Sequence, residues 1–410
     1  MSVFSTTRDL SALQSYVNQL PQTDPLQFAW ETNEVGHSPQ RTVPTQAYSY
    51  VENSSIRVPV PRLGLWTDAA ISFKVRVTAP APEPEEGPAT EITKAWGALG
   101  AFSSVSLMCG DQCLSTLWPS QIVDWVTSLD AGAYDLWTGL RHLGNGPDPG
   151  HLLGSVGAGT EHTFLLPLPF SNLRRRHYLY TPWLQALHLD IRMATTASWT
   201  TLGITTPTSV AIYYDFHELS PRLLTERSMA AMVKPVSAPA LVYDSYVETP
   251  SVVVAEDYLA SPVNHYSRQI NLTCMYNVFR MIVTVTSGHD LDTLDIRTLC
   301  RIRLRAGSQT VMDVSGAKLL KDMVTEPYRH HARGAAVYAL QFSAEPHHTP
   351  SSRAGQSGFI SLAPMAHPHL VVDLDSTYAQ AGTVINVTHL YYKAQSVVSS
   401  SGVVLQSKLK

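Results

Sequence analysis

The chain has 410 residues, with 29 Lys+Arg against 33 Asp+Glu and a net charge of −4. The absence of a basic excess argues against a protein that coats nucleic acid, and 44% hydrophobic residues exclude general disorder. Charged residues make up 15% of the chain, against roughly 25% in an average soluble protein, so much of the surface is neutral and suits burial against other copies.

At about 100–200 residues per domain, the length predicts two to three domains. Met1 to Asp9 is polar and predicts no secretory signal, and no run of about 18 apolar residues is present to span a bilayer. Asp9 to Leu20 predicts a helix, with Leu10, Leu13, Tyr16, Val17 and Leu20 at helical spacing behind an acidic cap. Ile71 to Val77 alternates apolar and polar residues and predicts a half-buried strand. Ala79 to Pro88 follows as a proline-acid loop carrying Glu83, Glu85 and Glu86. Val105 to Gln112 reads as a strand entering a tight turn at Gly110. Asp124 to Leu143 has helical spacing interrupted by Gly132, which predicts two short helices. A long loop, Gly144 to Gly159, precedes the basic run Arg174-Arg175-Arg176-His177. Val210 to Phe216 and Phe279 to Val285 are further alternating strands, separated by a short helix predicted over Thr225 to Val233. The 27 prolines and 23 glycines fall mostly between the strand runs, as punctuation. Strand signals dominate, so the chain is predicted to be all-β with a few short helices.

The chain also repeats itself. Val105 to Gln112 aligns with Ile302 to Gln309 at an offset of 197, matching Leu107 to Leu304, Gly110 to Gly307 and Gln112 to Gln309. The strand before each recurs as well, Ile71 to Thr78 against Phe279 to Thr286, at an offset of 208. The 11-residue difference requires extra chain in the first half, which the Ala79–Pro88 loop supplies. Two strands in the same order predict two similar β domains in tandem.

Several strings make the chain resemble the double jelly-roll major capsid proteins of nucleocytoplasmic large DNA viruses and their polinton-like relatives, from about Leu13 to Gln406. Ile56 to Leu65, followed by Asp68, resembles the family's Pro-Arg turn before a long strand, with Leu65 in place of the usual Asp. Val105 to Gln112 resembles its strand–Gly–Gly–Gln hairpin, with Cys109 in place of one Gly. Leu166-Pro-Leu-Pro-Phe170 and Leu184 to Ile191 match its Pro-Leu-Pro-Phe loop and following strand. Tyr213 to Arg222, with Glu226-Arg227, resembles its inter-barrel linker. Pro327 to His331 with Val337 to Phe342, and Val384 to Leu405, resemble segments of its second barrel and closing strand. The family's Asn-Phe-Ser-Arg-Ile-Asp run is replaced by Gly358 to Pro364.

The resemblance implies two tandem eight-stranded jelly-roll (β-sandwich) domains: 1–24 a helical segment at the inner base, 25–218 the first jelly roll, 219–240 a linker, 241–400 the second jelly roll, and 401–410 a tail. It implies a structural virion protein whose homotrimers are pseudo-hexameric and tile an icosahedral shell. Its partners would be neighbouring capsomers, minor capsid or penton proteins and, on the inner side, an internal membrane. It implies no enzyme activity, no cofactor, no metal and no direct nucleic-acid contact, with assembly inside the host cell. A minor capsid protein of the same fold is the alternative. From a different class, a carbohydrate-binding β-sandwich would stack sugars on Trp96, Trp118 or Trp183, but these fall in strand-like runs and read as core.

Individual residues keep more than one reading. Arg174, Arg175 and Arg176 suit either a solvated loop or an intersubunit contact with Glu83, Glu85 and Glu86; three charges make a weak genome-binding site. Leu10, Leu13, Val17 and Leu20 are the candidate inner-face contact. Cys109 and Cys113 span a turn and read as idle thiols, a disulfide or part of a metal site, though no second Cys pair completes four ligands. The pairs His330-His331 and His347-His348, and His367 with His369, read as structural, because neighbours on a strand point to opposite faces. The sequons at Asn53, Asn271 and Asn386 are expected to go unused without a secretory signal. Hydrolase motifs such as Gly-x-Ser-x-Gly are absent from the sequence.

Overall fold

The structure, a computed structural model, describes residues 40–49, 51–76, 101–127, 161–170, 179–184, 186–195, 206–218, 237–260, 264–288, 294–316, 318–319, 336–342, 358–398 and 403–408. The contacts divide these into two compact units: one takes 40–122, 161–244 and 393–408, the other 123–127 and 245–392. The expected helices at 9–20 and 225–233, the loops at 79–88 and 144–159 and the pairs His330-His331 and His347-His348 lie outside the described residues.

The first unit is a sandwich. Strands β1 (Gln40–Pro44), β4 (Gly64–Arg76), β7 (Glu161–Pro167) and β10 (Thr206–Glu218) form one sheet in the order β1-β10-β4-β7, with short β2 (Tyr48–Ser49) and β8 (Leu179–Tyr180) attached. Strands β3 (Ser55–Pro59), β5 (Phe102–Cys109), β6 (Gln112–Leu117) and β9 (Leu187–Met193) form the other, in the order β3-β9-β5-β6. The chain leaves one sheet for the other repeatedly, so neighbours in a sheet are rarely neighbours in sequence; that is the jelly-roll connection. Inward residues of both sheets are buried, among them Val58, Val105, Leu107, Leu189 and Ile191 from one and Leu65, Ile71, Leu166 and Ile212 from the other. Trp66 meets Tyr214 edge-on at 5.6 Å, and Tyr214 lies beside Phe216 at 6.3 Å. Each such buried ring contributes about 1.5–3 kcal/mol through apolar area removed from water.

The second unit repeats the plan. Strands β11 (Ser237–Val247), β15 (Asn277–Thr286), β18 (Val337–Gln341) and β21 (Val384–Val398) form a sheet in the order β11-β21-β15-β18, joined by β12 (Ser251–Val252), β19 (Ile360–Ser361) and β22 (Val403–Lys408); residues 237–244 of β11, 393–398 of β21 and all of β22 count with the first unit. Strands β13 (Tyr258–Leu259), β14 (His265–Asn271), β16 (Leu299–Ala306), β17 (Gln309–Ser315) and β20 (Pro368–Asp375) form the facing sheet, in the order β13-β14-β20-β16-β17. Its core interleaves Met281, Val283, Val285, Ile385 and Val387 from the first sheet with Ile270, Ile302, Leu304, Leu370 and Val372 from the second. β4 and β15 hold the same place in the two sandwiches, as do β5–β6 and β16–β17.

The correspondence reaches single residues. Gly110 and Gly307 open the two hairpin turns at φ +59° and +56°, the first loop position that a II′ turn gives to glycine. β5 bulges against β6 between Leu107 and Met108 and against β9 between Phe102 and Ser104; β16 bulges between Leu304 and Arg305 and between Leu299 and Arg301. Both pairs of bulges are related by the offset of 197. Residues 77–101 separate β4 from β5, against 287–298 between β15 and β16, which places the extra chain of the first half where the proline-acid loop lies.

Some local expectations differ. Of the two short helices expected over Asp124 to Leu143, the first starts earlier: α1 spans Pro119–Thr127, because proline suits a first helical position and Gln121 Oε1 accepts a bond from the Trp118 backbone N–H at 2.9 Å; residues 128–143 lie outside the described residues. Trp118, expected in the core, is 37% exposed, since it sits at the junction where strand alternation ends. Cys109 is buried and Cys113 exposed, neither in a disulfide; the bulge does not bring them to one face. No described helix is long and apolar enough to cross a membrane.

Candidate functional site

The outer face of the β13-β14-β20-β16-β17 sheet is the most strongly patterned surface described. Alternation along β16 turns Ile302 and Leu304 inward, and Arg301, Arg303 and Arg305 outward. Arg301 holds Asp313 of β17 through two hydrogen bonds, Nε to Oδ1 at 2.8 Å and a shorter one from Nη2 to Oδ2. Arg303 Nη2 reaches both carboxylate oxygens of Asp373 on β20 at 3.0 Å, and Ser267 on β14 donates to the same carboxylate at 2.7 Å. Arg305 Nη2 donates to the Ser308 carbonyl at 3.1 Å. The bond to Arg301 holds the Asp313 carboxyl below the ordinary range, and Arg301 is raised in turn. The face is therefore ionic across four strands, with two of its three arginines paired to carboxylates and Arg305 held by a backbone carbonyl.

At the open edge of this sheet the chain turns apolar. Tyr258 and Leu259 on β13 are 41% and 46% exposed, with Val252 and Val254 exposed just before them. Tyr258 packs on Tyr266 of β14 at 5.5 Å. Beside it, Arg268 bonds Ser251 and Asp257, whose Oδ2 caps the Val254 N–H at 2.9 Å. Val253, between Val252 and Val254, is buried in the core, so the segment from 251 to 259 is anchored while Val252, Val254, Tyr258 and Leu259 are exposed.

A matched pair of histidines lies at the start of β9 and β20. Ala186 and His367 both adopt positive φ, +49° and +47°, and the carbonyl of each accepts the Nδ1–H of a histidine two residues on, His188 at 2.8 Å and His369 at 2.9 Å. Both rings are buried, at an offset of 181. His369 thus holds a turn, and the His367–His369 pair has this backbone role. Among the described residues no three or more His, Cys, Asp or Glu gather as a metal site.

Two acid–base pairs are buried. In the second unit Glu248 meets His389 at 2.9 Å. In the first, the buried Lys393 ammonium bonds Asp244 Oδ2 at 2.7 Å and also the Leu114 carbonyl. The expected contact residues Arg174, Arg175, Arg176, Glu83, Glu85, Glu86, Leu10, Leu13, Val17 and Leu20 all lie outside the described residues. Sequence reading missed the arginine row; its signal was the period-two Arg-x-Arg-x-Arg from Arg301 to Arg305.

The sequence matches no protein-family model and no curated protein. The chain is similar to the capsid subunit of the PBCV-1 virus capsid (12% identity, TM-score 0.61, covering 91% of this chain and 98% of that one). It is similar to the Faustovirus major capsid protein (9% identity, TM-score 0.52, 94% and 98%) and to the mavirus major capsid protein (9% identity, TM-score 0.50, 96% and 95%). The fold is the double jelly roll, as the sequence resemblance implied.

Proposed function

We propose that this chain is a structural virion protein, the major capsid subunit of a DNA virus. Its homotrimers are pseudo-hexameric and tile an icosahedral shell. The observation that carries this reading is the eight-strand plan laid down twice in one chain, shared almost end to end with subunits of virus capsids. Three such chains present six barrels in a near-hexagonal outline, a block that fills a flat facet. The low charge content and the exposed Val252, Val254, Tyr258 and Leu259 suit burial against neighbouring copies. A permanent trimer of this kind buries more than about 2,000 Å² per interface. Contacts between trimers are smaller and act together. Its other partners are minor capsid or penton proteins and an inner membrane, and its place is the virion, assembled inside the host cell. No catalytic role is assigned to it.

On this reading Arg174, Arg175 and Arg176 meet Glu83, Glu85 and Glu86 across a subunit boundary. Purified full-length protein should run as a stable species of three chains in native mass spectrometry, and reversing the three arginines to Glu should shift it toward single chains. A wild-type monomer would sink the assembly reading. Unaltered trimers of the variant would sink only the arginine contact.

A further inference from the structure

Glu248 follows the first strand of the second jelly roll and is 3% exposed, with His389 beside it fully buried. Its backbone N–H bonds the Val387 carbonyl of β21 at 2.9 Å. Its carboxylate collects donors from two other segments. Oε1 accepts the backbone N–H groups of Thr273 and Cys274 at 2.8 and 3.0 Å and His389 Nε2 at 2.9 Å. Oε2 accepts the Thr273 hydroxyl at 2.6 Å. That hydroxyl has one proton, so at 2.8 Å from it Tyr246 must be the donor in its contact with Thr273. The counterpart in the first unit, the residue after β1, is Thr45, which exchanges two neutral bonds with Ile212.

We propose that Glu248 is an acid-released latch, holding the end of β11 against the 272–274 segment and β21 at neutral pH and freeing that corner when its carboxyl is protonated. All four side-chain partners are donors. A protonated carboxyl loses the charge that strengthens the three N–H bonds, and its O–H is accepted only if the Thr273 hydroxyl turns round and passes its own proton to Tyr246, so protonation weakens the whole cluster around a buried side chain. His389 Nδ1 has no hydrogen-bond partner, so the ring is turned to donate through Nε2 alone. The other titratable groups in the neighbourhood are Tyr246 on β11, Cys274 and Tyr276 before β15, and Tyr391 on β21, whose ring stacks on Tyr276 at 4.4 Å. Tyrosine and cysteine side chains carry no charge in acid, and among the described residues His389 is the one charged group that acts on the carboxylate.

Burial works to raise the Glu248 pKa, but the bonds from His389 and Thr273, the His389 charge and the Cys274 N–H outweigh it and hold the carboxyl below its ordinary range. A depressed carboxyl stabilises the fold above the unfolded-state value and loses that contribution as pH falls through the folded-state value. The latch therefore opens in acid, below the ordinary glutamate range, and its opening uncovers Cys274, now fully buried.

The test labels the full-length chain with dithiodipyridine at pH values from neutral to about 3.5 and measures each cysteine by peptide mass spectrometry. Thiolate chemistry alone slows in acid, so a rate that rises must come from exposure. Cys274 labelling is expected to accelerate by about tenfold in acid and to reverse on neutralisation, while Cys109, buried in the first unit, stays protected. Glu248→Gln should label rapidly at neutral pH with a flat profile. His389→Phe, which keeps a ring in place but removes one stabilising donor, should move the wild-type midpoint toward neutral. Protection of Cys274 throughout, joint exposure of Cys274 and Cys109, or an unmoved midpoint in His389→Phe would each overturn the latch.

Discussion

At the residue scale, the buried charges have the largest consequences. Lys393 and Asp244 are 149 residues apart in sequence, and neither looks unusual in its local string. Removing one member of a buried ion pair strands the other, at a cost of about 3–5 kcal/mol. Asp244→Ala should therefore lower the urea midpoint sharply, because among the described residues the Lys393 ammonium would keep only the Leu114 carbonyl as acceptor. The double variant Asp244→Ala with Lys393→Met should recover most of the loss, which a simple packing defect would not allow. Exposed pairs differ: Asp295 is held near pKa 2, chiefly by its bond to Arg297, yet sits in solvent where screening leaves little net stability.

At the scale of elements, the hairpins give the sharpest comparison. Gly110 has nothing within 4 Å of an added Cβ, and Gly307 meets only the Ala366 carbonyl at 3.7 Å, an ordinary contact. Gly110→Ala and Gly307→Ala should therefore cost the same, about 1–2 kcal/mol each, from backbone conformation alone. Gly→Asn should cost less at both positions, since Asn tolerates positive φ. Urea denaturation of the four variants checks this. The hairpins were legible in sequence because glycine and the alternation around it are local signals. The histidine repeat was not. Leu187-His-Leu-Asp-Ile191 and Pro368-His-Leu-Val-Val372 share a two-residue match, and its meaning lies in a positive-φ residue that no side-chain pattern marks. The Glu248–His389 pair was hidden for another reason: its members are 141 residues apart and are joined only by folding. Trp118 was misread because strand alternation was carried one residue past its end.

For the whole molecule, the sequence carried the doubling of the fold through two matched strands and an insertion between them, and β4, β15 and the two hairpins occupy equivalent positions. The assembly surfaces were less accessible, since an exposed apolar residue and a buried one have the same letter. Tyr258→Lys combined with Leu259→Lys places two ammonium groups on an outward edge, with little effect expected on the fold because both side chains are exposed. If that edge meets a neighbouring copy, the variant should dissociate at lower protein concentration than wild type in analytical ultracentrifugation. Identical dissociation would exclude the edge from the contact.

The two barrels share a framework but not a surface. At the offset of 197, Arg301, Arg303 and Arg305 correspond to Ser104, Ser106 and Met108, and Asp313 to Thr116. Where the second barrel has guanidinium–carboxylate pairs, the first joins Ser106 to Thr116 by hydroxyls at 3.0 Å. Dissolved ions weaken exposed charge pairs and leave hydroxyl pairs almost untouched. Brine should thus weaken the pairing on one twin's outer face while its sibling's face stays indifferent, giving a duplicated protein a built-in asymmetry toward the medium around it.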